Sequence, residues 1–206
     1  MKYGVLKSSI NTGLDSELQY TFLTPLSITS NQPAFSHDTM NLRRKVFKQN
    51  VQRWEIEAEI EYANDSRSAN FFVHSVMSGN TERVYVRMPQ VYNLNTSSAT
   101  IEVGNTLSRG TNIMSITGAN SMVYGEFIKF GNHDKVYLVI DGGSGGNDVK
   151  IFPSLLADVP VGTSINTTIV TMRAYYDSDV IFGLRYSDGI MTKPGSIKLV
   201  EALWKI

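Results

Sequence analysis

Between Trp54 and Tyr62 the sequence alternates without a break. Trp54, Ile56, Ala58, Ile60 and Tyr62 fall on one side, and Glu55, Glu57, Glu59 and Glu61 on the other. A period of two is the pattern of a β-strand, whose successive side chains point to opposite faces. A slip of one residue would drive four carboxylates into the apolar face, and burying even one without a partner is too costly to tolerate. The chain is thereby committed to a sheet with one buried and one polar face. Upstream, Leu42 to Phe47 carries Arg43, Arg44 and Lys45, and the polar run Lys48 to Gln52 can turn. A hairpin joining the two segments would set the basic residues opposite the glutamates, a favourable cross-strand arrangement.

The rest of the chain continues in the same idiom. Residues 1–39, broken by Gly4, Gly13, Pro25 and Pro33, read as an extended arm with one or two short strands. Asn64-Asp65-Ser66 can cap a short helix carrying Ala69, Phe71, Phe72, Val73, Val76 and Met77, which Gly79 would end. Glu82 to Met88 alternates again with Val84, Val86 and Met88 inward, and Pro89 stops it. A polar linker, Asn93 to Ala99, follows. Beyond it the expected strands are Thr100–Val103, Ile113–Ile116, Glu126–Phe130, Lys135–Ile140, Val149–Phe152 and Ser164–Ile169, with turns at Gly104, Gly110, Gly118, Gly131 and Asp141–Gly146. Short, evenly spaced strands with glycine turns suggest a small barrel of the OB type. Val170–Tyr176 and Ile181–Tyr186 resume strand character, and Ile197–Ile206 reads as a last strand, with a helix as the fallback.

Composition narrows the function. Apolar residues make up 42% of 206 and charged residues 18%, a folded chain with enough sequence for a real core. Nineteen basic and nineteen acidic side chains cancel, which argues against a dedicated nucleic-acid binder and does little to hold copies apart. With no cysteine, thiolate metal sites, disulfides and a cysteine nucleophile are excluded. The start shows no apolar signal segment, and no stretch approaches the ~20 apolar residues of a membrane span. The expectation is a soluble protein with no membrane partner and no cofactor.

The candidate chemistry is thin. The glutamate stripe could be imagined as a glycosidase pair, but such sites need one carboxyl in an apolar pocket. Asp141–Gly146 lacks the Lys-Ser/Thr ending of a phosphate-binding loop and reads as a hairpin loop. Ser144 within Gly-Gly-Ser-Gly-Gly lacks the strand-to-helix context of a nucleophile elbow. His37, His74 and His133 show no metal-ligand spacing. Tyr124, Phe127, Phe130 and Tyr137 could stack bases, but with few basic neighbours they read as core. No catalytic, cofactor or metal residues emerge, and the chain is expected not to be an enzyme.

Short phrases carry one resemblance. A strand opening Gln52-Arg53-Trp54-Glu55, a short helix and a strand ending Met88-Pro89 resemble the ring-forming domain of phage distal tail proteins. Ala99-Thr100-Ile101, Gly125-Glu126-Phe127-Ile128-Lys129-Phe130, His133-Asp134-Lys135-Val136-Tyr137-Leu138-Val139 and Ile151-Phe152-Pro153 resemble the barrel inserted in that domain. The resemblance spans residues 42–176. It implies a mostly β protein: a ring-forming β-sandwich or split barrel with one short helix from residues 1–92 and 170–206, and an inserted OB-like barrel from 93–169. It implies a homo-oligomeric ring, hexameric in the family, that joins the tail tube to tail-tip and fibre proteins in the virion tail after synthesis in the host cytoplasm. DNA would pass through the lumen without specific binding. On that reading Glu55, Glu57, Glu59 and Glu61 could line the lumen, whereas the hairpin reading pairs them with Arg43, Arg44 and Lys45. A different class of function is a carbohydrate-binding module on the inserted barrel, contributing to host attachment through exposed Trp or Tyr.

Overall fold

The computed structural model describes residues 5–8, 20–38, 40, 44–48, 51–60, 83–90, 101–117, 122–143, 148–177, 185–187, 190–192 and 196–203. In chain order the strands are β1 (Val5–Ser8), β2 (Tyr20–Asn31), β3 (Ala34–Asp38), β4 (Arg44–Lys48), β5 (Arg53–Ile60), β6 (Val84–Arg87), β7 (Ile101–Val103) and β8 (Ile113–Thr117). They continue as β9 (Phe127–Phe130), β10 (Val136–Asp141), β11 (Asp148–Phe152), β12 (Ser164–Asn166), β13 (Thr171–Tyr176), β14 (Arg185–Ser187), β15 (Ile190–Thr192) and β16 (Ser196–Glu201). The protein is mostly β. The short helix expected around Ala69–Met77, the linker Asn93–Ala99, and Arg43, Glu61, Tyr62 and Ser144 lie outside the described residues.

The glutamate strand is at the centre of a closed six-stranded barrel, ordered β1-β2-β5-β16-β13-β6, with β6 returning to β1. Trp54, Ile56 and Ala58 point inward, as the alternation requires. Ile56 pairs with Ile28 on one flank and Leu199 on the other, so one apolar layer crosses three strands. Val84 and Val86 on β6 complete the interior against Ala174 and Met172 on β13. Closure replaces the sandwich or split barrel expected, and it removes the open sheet edges those alternatives would leave.

Tyr20–Asn31 corrects the expectation of an irregular arm, since it forms a 12-residue strand paired with β5. Pro25 is tolerated there because the β2–β5 register shifts between Leu23 and Leu26, at the one place where a missing N–H breaks no regular rung. The expected pairing of the basic run with the glutamates is also corrected. β4 pairs with β3, Asp38 opposite Arg44 and His37 opposite Lys45, while β5 takes β2 and β16 as neighbours. β5 therefore has both ladders filled by longer, apolar-faced strands, and Arg44 and Lys45 never come opposite it.

Residues 101–166 form a second closed barrel, ordered β10-β11-β8-β7-β12-β9, with antiparallel neighbours throughout. It has six strands, whereas the OB fold has five. Its interior holds Ile101, Val103, Met114, Ile116, Ile128, Phe130, Tyr137, Val139, Val149, Ile151 and Ile165. Two of its strands are apolar on both faces. Ile128 and Tyr137 point into the barrel, while their neighbours Phe127 and Val136 point out and join the core of the first barrel. The C-terminal segment is a strand over Ser196–Glu201 and not a helix there. Among the described residues no helix is long and apolar enough to cross a membrane.

Candidate functional site

The glutamate face differs along its length. Glu55 is nearly buried and accepts hydrogen bonds from Asn31 Nδ2 at 2.6 Å and Arg53 Nε at 3.1 Å. Arg53 and Lys198 also form ion pairs with it, at 3.1 and 3.2 Å. The Asn31 bond is the largest cause holding its carboxyl below the usual range, against the opposing cost of burial. Lys198 also meets Asp177 at 2.9 Å. Asp177 and then Glu55 raise the lysine above its ordinary value. Glu57 is exposed and Glu59 half-buried. The cations serving Glu55 therefore come from β5 itself and from β16. Arg44 is engaged elsewhere, donating to Ser36 Oγ at 3.0 Å.

Where β5 begins, the two barrels are locked together. Trp54 packs edge-on against Phe127 and Phe152, with centroids at 5.5 and 6.1 Å. Its indole Nε1–H donates to the Val136 carbonyl at 2.8 Å. Beside the ring, Lys135 and Glu201 form an ion pair with side chains 2% and 0% exposed. The Glu201 carboxylate also accepts the backbone N–H groups of Trp54 at 3.0 Å and Val136 at 2.9 Å. Lys135 Nζ donates to Gln52 Oε1 at 2.7 Å, and Gln52 Nε2 donates to Ser30 Oγ at 3.1 Å. Burial presses the Lys135 ammonium below its ordinary value, and Glu201 opposes that. A carboxylate with three donors and an ammonium with two acceptors satisfy the condition under which a buried pair holds.

Two further polar bridges flank this centre. Asp134, on the turn between β9 and β10, takes Lys129 at 3.0 Å and Arg173 of β13 at 3.1 Å. Gln90 binds the Phe127 backbone on both sides, accepting its N–H at 2.9 Å and donating to its carbonyl at 2.7 Å. Gln90 also donates to Thr167 O at 3.1 Å. This arrangement fixes the angle and register between barrels and presents no nucleophile with an adjacent base. Among the described residues, no group of three or more acidic or histidine side chains could hold a metal.

No family matches. The sequence fits no protein-family model, and no curated protein is significantly similar to it.

The remaining feature is the β3–β4 hairpin. Its strands pair only with each other among the described residues, and every residue of β3 is exposed. Phe35 and Phe47 face each other across the ladder at 67% and 60% exposure, with Val46 at 50%. His37 stacks on Phe47 with centroids 6.1 Å apart. An apolar two-stranded ribbon is marginal in water alone.

The two groups that sequence reasoning missed, the Lys135–Glu201 pair and the Asp134 bridge, left a faint signal. Lys135 and Glu201 are each charges bordering apolar runs, Lys135 just before Val136-Tyr137 and Glu201 between Val200 and Ala202. A charge on a face that should be buried implies a partner, though not which one. His133, expected in a turn, is there, and Tyr137 ties it down. The Leu156 N–H donates to Tyr137 Oη at 3.0 Å, Tyr137 O–H donates to His133 Nε2 at 2.8 Å, and His133 Nδ1–H donates to Asn132 Oδ1 at 2.7 Å. Burial, first, and the nearby lysines lower this imidazole to about 4, with Asp134 opposing.

Proposed function

We propose that this chain is a structural component of a phage tail tip. Its copies would form a homo-oligomeric ring, hexameric in the family it resembles, that joins the tail tube to distal tail and fibre proteins. The observation that carries the reading is the β3–β4 hairpin. It exposes Phe35, Val46 and Phe47 on a ribbon continuing from β2 and β5, and neither outer edge is paired by another strand among the described residues. Burying each phenylalanine on a neighbour would contribute about 1.5–3 kcal/mol. A protruding patch that meets a different patch on the next copy is a heterologous contact, which closes into a ring when the rotation allows. The locked barrels add support, since a rigid joint is what a tube-to-fibre connector needs.

The test is light scattering on the purified chain together with imaging of the particles that carry it. Multiple copies in a ring, lost in the Phe35→Asp, Phe47→Asp double variant while circular dichroism stays unchanged, is the expected result. A single copy per particle, or none, overturns the proposal. A second reading, sugar binding by the 101–166 barrel, has one observation in its favour. Tyr124 is 69% exposed, beside the strand-like bridge from Met122 to Gly143. Isothermal titration against host-surface glycans, with Tyr124→Ala as control, tests it.

A further inference from the structure

Beside the Asp134 bridge lies a cleft of about 340 Å³, lined by Lys129, Gly131, His133, Asp134, Ser164 and Thr171, among others. That volume suits a small molecule. The end of β9, the turn after it, β12 and the first residue of β13 all contribute, so the cleft belongs to the joint between barrels and not to either one alone.

Within the lining Lys129 and Asp134 balance, and Arg173, outside the lining but bonded to Asp134, leaves the cluster one positive charge in excess. Lys129 and Arg173 both point at Asp134, one carboxylate for two cations, and all three side chains are mostly buried. Both Asp134 oxygens are already engaged, one by each cation. Arg173 follows Thr171 by two residues on the outward face of β13, about 7 Å along the strand. Its Nε–H is buried and meets no acceptor among the described residues. A buried donor of this kind is able to take an acceptor from outside the chain. Gly131 closes the turn tightly here, since a Cβ at that position would lie 2.7 Å from Ser164 Oγ. A glycine is thus needed for the hydroxyl of Ser164 to border the cleft. The one aromatic carbon ring in the lining, Phe130, is buried in the second barrel, so no open aromatic face offers a sugar a stacking platform.

We propose that this cleft binds a small oxyanion, the phosphate or carboxylate group of a small molecule, with Lys129 in the lining supplying the direct charge, Arg173 adding to it from its seat on Asp134, and Ser164 and Thr171 supplying hydroxyl donors. Charge-assisted bonds to such groups are the strong ones, and a lysine ammonium forms them as a compact point charge with three donors. His133 reports on the event without taking part. Lys129 is one of the charges that hold its imidazole down, so an anion neutralising Lys129 must lift the histidine's midpoint.

The experiment is an NMR titration of the full chain with inorganic phosphate and, separately, sodium acetate, at ionic strength matched with sodium chloride. Uncharged glucose is the control, and His37 and His74 are internal references. The expected result is a saturable shift of backbone amides at 129–134, 164–166 and 171–173 with a Kd of about 1–10 mM, and a rise in the His133 midpoint alone. Phosphate and acetate arms tell which anion is preferred. Lys129→Met should abolish the shift, and Asp134→Asn, which removes the competing carboxylate, should tighten binding by about threefold or more. No saturable change in the unmodified chain, the same change with chloride alone, or saturation by glucose and not by either anion would each overturn the proposal.

Discussion

Replacing Lys135 by Met removes the one side-chain cation that Glu201 meets among the described residues and leaves a carboxylate at 0% side-chain exposure facing two backbone N–H groups. Breaking a buried pair from one side costs about 3–5 kcal/mol, because the remaining charge keeps its desolvation cost and loses its partner. Glu201→Gln leaves the Lys135 ammonium without a counter-charge among the described residues, with Gln52 still accepting from it, and the same range applies. Glutamine still offers an oxygen to Trp54 or Val136, so its cost should fall at the lower end. The double variant Lys135→Met, Glu201→Gln has no buried charge and should recover about 2–3 kcal/mol of the summed losses, the coupling expected of residues in one network. Urea unfolding monitored by tryptophan fluorescence measures this, with the denaturant slope as a second readout. Because the pair joins the barrels, the single variants should also lower cooperativity, splitting the transition or reducing the slope. Single variants each costing under about 1 kcal/mol, or costs that simply add, would refute the claim that this pair holds the barrels in register.

Trp54→Ala should cost about 3–5 kcal/mol from the lost ring and the Val136 carbonyl left without its donor, while Glu57→Gln, at an exposed position, should change stability by less than about 0.5 kcal/mol; chemical denaturation reads both. The unfolded imidazole of His133 takes its proton near pH 6.5 and the folded one only near 4, so stability is lost as pH falls from about 6.5 to about 4. Allowing for screening at a partly exposed ring, the loss is about 1–2 kcal/mol, and His133→Gln should flatten the melting temperature against pH across that window. Burial raises the Glu126 carboxyl above its ordinary value, against a hydrogen bond from the Val123 N–H. Its ionisation therefore costs stability as pH rises, and Glu126→Gln should be neutral or stabilising at pH 7, with the difference vanishing in acid; a loss above about 1 kcal/mol would contradict this.

The alternation from Trp54 to Ile60 determined a strand and which of its faces is buried, because face is a property of neighbours in sequence and period two has one solution. The same local logic located all six strands of the 101–166 barrel to within a few residues. What strand lies beside what is not local. Arg44 and Lys45 looked like partners for the glutamates by proximity and charge, yet the hydrophobic layer Ile28–Ile56–Leu199 decided the neighbours of β5. Apolar burial across two ladders outweighs exposed ion pairs, which contribute about 0–1 kcal/mol each. Closure of both barrels likewise depends on pairings that no single segment encodes. The joint between them was the least legible of all. Lys135 meets Glu201 across 66 positions, and Trp54 meets it across 147. Each charge alone announces only that a partner must exist. Tertiary structure chose which one, because a buried carboxylate is stable only where an ammonium and two free N–H groups converge on it, and that convergence exists only after both barrels have closed.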